Sequence, residues 1–293
     1  MPKFAKAETQ AKNVIKGLTK AQRIKSLGTA RNYLQSLKTV ANWSKDIGIN
    51  GIQAMTVQQA RMYLDYRAEL VGQKALDMER QAIQAMMQLN GKLQPKETLY
   101  RVKSCSNEIK RSRAYTTDQA TAISHRQTER NLLATQIAYA AGLRAHELLT
   151  LAKANERTPD KRPALDSKWQ GRNGELYTVV GKGGLIRHVL IPNILAYQLE
   201  QQRLAQPITV VDREINYSQR YNIAGGKKWS DSFSKASNRT LLFSTGAHGL
   251  RHSYAQERMV ELKSLGYKYE TALETVSQEM GHFRPNITLL YLI

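Results

Sequence analysis

Six side chains in this sequence of 293 residues combine chemically capable types with informative settings: Arg144 in AGLRAHELL, Lys182 in GKGG, His248 and Arg251 in HGLRHSYA, His282 in MGH and Tyr291 in TLLYLI. A guanidinium offers anionic oxygens a permanent charge and paired hydrogen bonds. Neutral imidazole can accept or donate a proton, and a phenol can act as a nucleophile. Several other chemistries do not fit. Gly181-Lys182-Gly183-Gly184 lacks the lead and the Ser or Thr of a phosphate-binding P-loop, and no GxGxxG follows a strand-like run, which argues against nucleotide hydrolysis. His248 and His252 have the i, i+4 spacing of zinc proteases, but Gly249 stands where their catalytic Glu must be, so no metal site is expected. The acidic residues are scattered, which disfavours a two-metal nuclease.

The elements that must position these groups can be read from periodicity. No proline lies between Pro2 and Pro95, which permits uninterrupted helices. Tyr33, Leu34, Leu37, Val40 and Ala41 fall on one face of a helix over 30–43. Thr56-Val57-Gln58-Gln59 has the form of a capping box and opens a helix through Met62, Leu64 and Leu70, with another over 74–89. Residues 1–91 read as an all-helical unit of roughly four helices, and 92–113 as a linker without apolar periodicity. A second Thr-x-x-Gln box starts a helix at Thr116, and 131–141 continues helical to a capping Gly142. The period then changes. Residues 176–180 and 185–191 are β-rich runs flanking 181–184, a tight hairpin signal, and helical patterns resume after about Ser230. The expected fold is mainly α with a small antiparallel β-sheet, a helical N-terminal domain preceding a mixed α/β domain over 114–293.

Charge points to a polyanionic partner. The chain carries 44 Lys and Arg against 24 Asp and Glu, a formal net charge of +20, and its 41% hydrophobic content is that of a globular protein. The net charge is +8 over 1–91, +5 over the 22 residues 92–113 and +7 over 114–293, so the linker is the densest positive segment. It can be a solvated tether or a strap over phosphates, with Lys103, Lys110, Arg111 and Arg113 as contacts, and the basic flanking domains favour the strap. No apolar run reaches the roughly 18 residues of a membrane span, and MPKFAKAETQ holds no signal core, so no membrane association is expected. A single cysteine, Cys105, excludes an internal disulfide and a cysteine-based metal cluster, which suits a reducing cytoplasm.

The ordered set Arg144, Lys182, His248-x-x-Arg251, Gly281-His282 and Tyr291, with Tyr291 nine residues after His282, resembles the catalytic domain of the tyrosine recombinases, the phage-integrase family. The resemblance covers 114–293, and the helical 1–91 with its basic linker looks like that family's core-binding domain. It implies that Tyr291 attacks a DNA phosphodiester, forming a 3′-phosphotyrosyl bond while a 5′-hydroxyl leaves. Arg144 and Arg251 would hold the nonbridging oxygens, with Glu147 as a supporting partner of Arg144 on the same helix face. Lys182 would be the general acid, and His248 and His282 would bond the phosphate and assist proton transfer at Tyr291. His252 and His146 fall to support or packing. Because the phosphotyrosyl bond conserves the phosphodiester energy, no cofactor, ATP or metal is implied.

The resemblance further implies double-stranded DNA attachment sites as partners, a tetramer assembled on DNA from solution monomers, and accessory DNA-bending factors. The expected role is integration and excision of a mobile element. A resolvase, a type IB topoisomerase-like relaxer and a non-catalytic DNA-binding accessory protein remain as alternatives. Two departures stand out. The 31 residues from Arg251 to His282 suggest an insertion within 262–276, and only two residues follow Tyr291, where the family continues into a docking tail, so the chain is either truncated or able to dispense with that tail.

Overall fold

Both Thr-x-x-Gln sequences start helices in the computed structural model. Thr56 Oγ1 accepts from the Gln59 N–H at 3.2 Å while Gln59 Oε1 accepts from the Thr56 N–H at 2.9 Å; the Thr116 and Gln119 pair does the same at 3.2 and 3.0 Å. Residues 5–106 and 111–293 are described, and the chain divides into units 1–109 and 110–293.

The first unit holds α1 (Ala7–Lys20), α2 (Leu27–Asp46), α3 (Val57–Ala68) and α4 (Gln73–Leu89). Their inward stripes, including Val14, Leu18, Leu37, Val40, Tyr63, Leu64, Ile83 and Met87, form one core. In α3 the buried face is Ala60, Tyr63, Leu64 and Ala68, whereas Met62 is exposed; Leu70, read as part of this helix, lies beyond its end and is exposed. Glu79 is buried in that core. It accepts from the Tyr63 hydroxyl at 2.8 Å and from both edges of Arg67 at 2.8 and 2.7 Å, a bidentate arrangement that keeps a carboxylate acceptable there.

The stretch from 92 to 105, the first part of the expected linker, packs on this unit. Leu93 and Leu99 are buried in its core, the Cys105 N–H donates to the Ala68 carbonyl at 2.9 Å, and the Ser104 N–H donates to Gln73 Oε1 at 2.9 Å. An extended segment anchored at irregular intervals shows no period, which is why its packing was not legible. Burying one such leucine contributes roughly 1.5–3 kcal/mol.

The second unit begins with α5 (Thr117–His125) and α6 (Glu129–Ala140). An antiparallel sheet follows in the order β1 (Ala152–Lys153), β2 (Glu175–Val180), β3 (Ile186–Ile191), with Thr178 opposite His188 in the central register. Next come α7 (Asn193–Gln201) and a second hairpin, β4 (Arg203–Asp212) with β5 (Ile215–Tyr221). That hairpin carries no local signal. Its two-residue turn, Arg213 and Glu214, takes φ 51° and 65° without the Gly or Asn that usually marks such a turn. The chain ends with α8 (Gly226–Leu241), α9 (Gly249–Ser264), α10 (Tyr269–Met280), the single turn α11 (Pro285–Thr288) and a 3-10 turn holding Tyr291. The expected insertion at 262–276 is the end of α9 and most of α10, packed together through Tyr254, Met259, Leu262, Ala272 and Val276. It is the element that delivers His282.

Candidate active site

Each candidate side chain is presented at the end of an element. The chain leaves α6 through Gly142, whose φ is 60° and whose Cβ position would lie 2.7 Å from the Tyr254 ring. Neither backbone nor space admits a side chain there. The turn brings Arg144 over Glu147. Glu147 lies in a 3-10 turn, Glu147–Thr150, not on an α-helical face shared with Arg144 as expected. The pairing survives because the Glu147 N–H donates to the Arg144 carbonyl at 2.9 Å, closing a turn that brings residues three apart together.

Glu147 is fully buried and gathers three guanidiniums. It accepts from the Arg144 N–H and from Arg144 Nη1, both at 2.8 Å, and from Arg187 Nη2 at 2.9 Å, with Arg251 Nη1 at 3.9 Å. Burial pushes its carboxyl up, but the charges of Arg187, Arg251 and Arg144 outweigh this and hold it far below the usual carboxylate range. Three cations against one carboxylate leave an excess of positive charge. Burial first, then Arg144, lowers the Arg251 guanidinium to about 10, which still leaves it charged at neutral pH.

Arg251 lies in the first turn of α9 and is 0% exposed. It donates to the Gly142 carbonyl, to the Met280 carbonyl at 3.2 Å and to His282 Nε2 at 3.1 Å. A guanidinium cannot accept, so His282 Nε2 is the bare nitrogen and Nδ1 carries the proton toward Thr288 Oγ1, 3.1 Å away. The Tyr291 ring lies over Arg251 with the guanidinium carbon 5.6 Å from its centroid. The ring thus covers the guanidinium.

Tyr291 stands among three imidazoles. Its hydroxyl is 3.1 Å from His248 Nε2, and its ring centroid is 5.4, 4.7 and 5.0 Å from those of His248, His252 and His282. Gln256 Nε2 holds the Tyr291 carbonyl at 3.1 Å and also donates to Ser112 Oγ at 3.2 Å. Loss of solvent, then the Arg251 charge, pushes the His248 imidazole down, and because the residue remains exposed, water moderates the effect. His282 is lowered to about 3 by burial and then by Arg251, and His252 to about 4 by burial and then by Arg113. A neutral His248 can take the Tyr291 proton.

These depressed imidazoles set a pH dependence. An unfolded histidine takes up its proton as pH falls through about 6.5, while the folded site resists until about 3 to 4. Stability is therefore complete above about pH 6.5 and is lost as pH falls from there toward the folded values, by at most about 2 kcal/mol at pH 5 for His252, which is only 7% exposed. The unfolding midpoint should drop between pH 7 and pH 5, and His252→Asn should flatten that drop; an equally steep drop in the variant would remove His252 as a source.

Lys182 occupies the β2–β3 turn, exposed, between Gly181 and Gly184. It lines a cavity of about 510 Å³ together with Asp160, Arg162, His282 and Arg284. Arg144, Glu147, His248, Arg251, His252, His282 and Tyr291 are thus gathered in one cluster, with Lys182 on the cavity that His282 also lines. His146 adjoins the cluster, its ring 6.4 Å from that of Tyr217; burial lowers its imidazole, and the charges of Glu147, Arg144 and Arg251 act on it. Of the linker residues, Lys103 is exposed on the first unit, Lys110 lies outside the described residues, and Arg111 and Arg113 are exposed on the second. Arg113 Nη2 donates to the Thr245 carbonyl at 2.6 Å, close to the start of α9.

Sequence reasoning missed Arg187, Thr288 and Gln256. Arg187 alone left a signal, a charged residue at the inward position of an alternating strand. Thr288 and Gln256 have unremarkable helical surroundings in sequence.

A buried carboxylate tying guanidiniums from separate segments, beside a tyrosine in contact with neutral histidines, belongs here to the fold of the tyrosine recombinases. The integrase of the Tn1549 transposon, solved with transposon right end DNA, is similar at 13% identity over 97% of this chain and 94% of that one, with a TM-score of 0.60. A lambda integrase tetramer bound to a Holliday junction matches at 14% identity, 99% and 78% coverage and a TM-score of 0.62. The XerH site-specific recombinase bound to its difH substrate matches at 17% identity, 97% and 80% coverage and 0.56. No protein-family model and no curated protein matches the sequence. Among the described residues, no helix is long and apolar enough to cross a membrane.

Proposed function

We propose that the chain is a site-specific DNA recombinase that cleaves and rejoins strands through a 3′-phosphotyrosyl intermediate at Tyr291, in the integration and excision of a mobile element. The observation that carries this reading is the Tyr291 hydroxyl 3.1 Å from a neutral His248 and beside the buried Arg251. In the reaction the Tyr291 oxygen bonds to phosphorus and the phosphorus–O5′ bond breaks. His248 receives the phenolic proton, the departing O5′ takes one from Lys182, and Arg144 and Arg251 hold the charge that grows on the nonbridging oxygens. Double-stranded DNA is the partner, and exchange between two sites calls for four copies on DNA; the lambda integrase tetramer on a Holliday junction supports that stoichiometry.

A duplex nicked just downstream of the scissile phosphate releases a short strand after cleavage and traps the intermediate. The chain should remain attached to such DNA after denaturation, through a bond to Tyr291; recovery of protein free of DNA on a substrate carrying its own site would refute the reading. Exchange between two sites, as against relaxation of any supercoiled circle, separates a recombinase from a topoisomerase-like relaxer.

The basic segment carries its own expectation. Each phosphate neutralised contributes about −0.9 to the slope of log affinity against log salt. Replacing Lys103, Lys110 and Arg111 by glutamine should flatten that slope by up to about three units, equally on specific and random duplexes. Arg113 is left in place because it anchors Thr245. An unchanged slope would show that these three side chains do not touch phosphate.

A further inference from the structure

Arg187 sits on β3, five residues after Lys182, at an inward register position in line with Val189 and Ile191. Its buried guanidinium forks in two directions: Nη2 donates to Glu147 Oε2 at 2.9 Å and Nη1 to the Glu279 carbonyl at 2.8 Å. The turn before His282 closes on its stem, since a Cβ on Gly281, whose φ is 72°, would stand 2.5 Å from Arg187 Cδ. Among the described residues Nε is buried without a partner. A third cation beside Arg144 and Arg251 adds repulsion and a desolvation cost that an apolar residue at this register avoids. Packing alone does not account for an arginine here. What it adds is one rigid link among the hairpin that carries Lys182, the carboxylate that sets Arg144, and the turn that carries His282.

We propose that Arg187 is a positioning residue for the general acid, holding the β2–β3 hairpin so that the Lys182 ammonium meets the departing O5′. The inference rests on the strand-transfer reading above. Lys182 hangs from a turn whose two following glycines take φ 78° and 86°, a permissive backbone that leaves the direction of the side chain to the base of the hairpin. Arg187 docks that base. As the phosphorus–O5′ bond breaks, the oxygen takes the Lys182 proton; with the dock lost, Arg144, Arg251 and Tyr291 still bind and attack, but the leaving oxygen departs without an aligned donor.

Sulfur at the 5′ bridging position provides the test, because a thiolate leaves without being protonated. Adduct formation is measured on nicked duplexes with oxygen or sulfur at that position for the parent chain, Lys182→Met and Arg187→Met, with DNA affinity and unfolding midpoint alongside. Both variants should lose about 10²-fold on the oxygen substrate, approach the parent within about tenfold on sulfur, and bind DNA normally. Equal losses on the two substrates by Arg187→Met, with a Lys182→Met that is rescued, would overturn the role of Arg187 and leave the strand-transfer reading intact. A parent chain inactive on both substrates would sink that reading and this inference with it. If Arg187→Met does not fold, Arg187→Lys, which keeps the charge and loses the fork, is judged by the same two rates.

Discussion

Tyr291→Phe is expected to bind duplex DNA as the parent chain does and to form no covalent adduct on a nicked duplex. In the proposed reaction the phenolic oxygen is the atom that becomes bonded to phosphorus, so its removal leaves no route at this position. The fold should tolerate the change. The hydroxyl makes one described contact, with His248 Nε2 at 3.1 Å, while the ring remains packed against His248, His252 and His282. A hydrogen bond of that kind contributes about 1 kcal/mol net. Adduct formation is read by denaturing electrophoresis and affinity by titration of labelled duplex; an adduct that persists in the variant would show that another nucleophile acts.

Arg251→Ala should slow cleavage by about 10³-fold or more while weakening DNA binding only a few-fold. Two features of its setting predict this split. The guanidinium is 0% exposed beneath the Tyr291 ring, so it contributes little to the first encounter with DNA. In the proposed reaction its charge is felt once the cover shifts and the nonbridging oxygens gain charge in the transition state, so its loss lowers the rate of the bound complex rather than its affinity. Arg251→Lys should recover only part of the loss, since an ammonium keeps the charge without the fork that spans the Gly142 and Met280 carbonyls and His282. Single-turnover cleavage and equilibrium binding measured on one duplex decide the matter. Equal losses in both would make Arg251 a binding contact.

Short-range pattern carried much of the architecture. The two capping boxes are completed by residues three apart, the β2–β3 hairpin is marked by a glycine cluster between β-branched runs, and the helices of the first unit follow a 3.6-residue period. Where pattern was silent, the reason is local. The turn at Arg213 and Glu214 lacks the residues that favour positive φ, and the segment from 92 to 105 is held by separated anchors, Leu93 and Leu99, that no window of fixed period detects.

The candidate site divides in the same way. Residue types and spacing along the chain determined the set Arg144, Lys182, His248, Arg251, His282 and Tyr291, because each lies within a local turn or helix start whose composition is readable. Tertiary structure alone decided what surrounds them. Arg187 meets Glu147 across 40 positions and the Glu279 carbonyl across 92, and Arg251 meets the Gly142 carbonyl across 109. Such contacts depend on how separate elements pack, and so do the neutrality of His282 and the burial of Arg251: both follow from desolvation by atoms distant in sequence, a quantity that no periodicity within one helix or strand encodes.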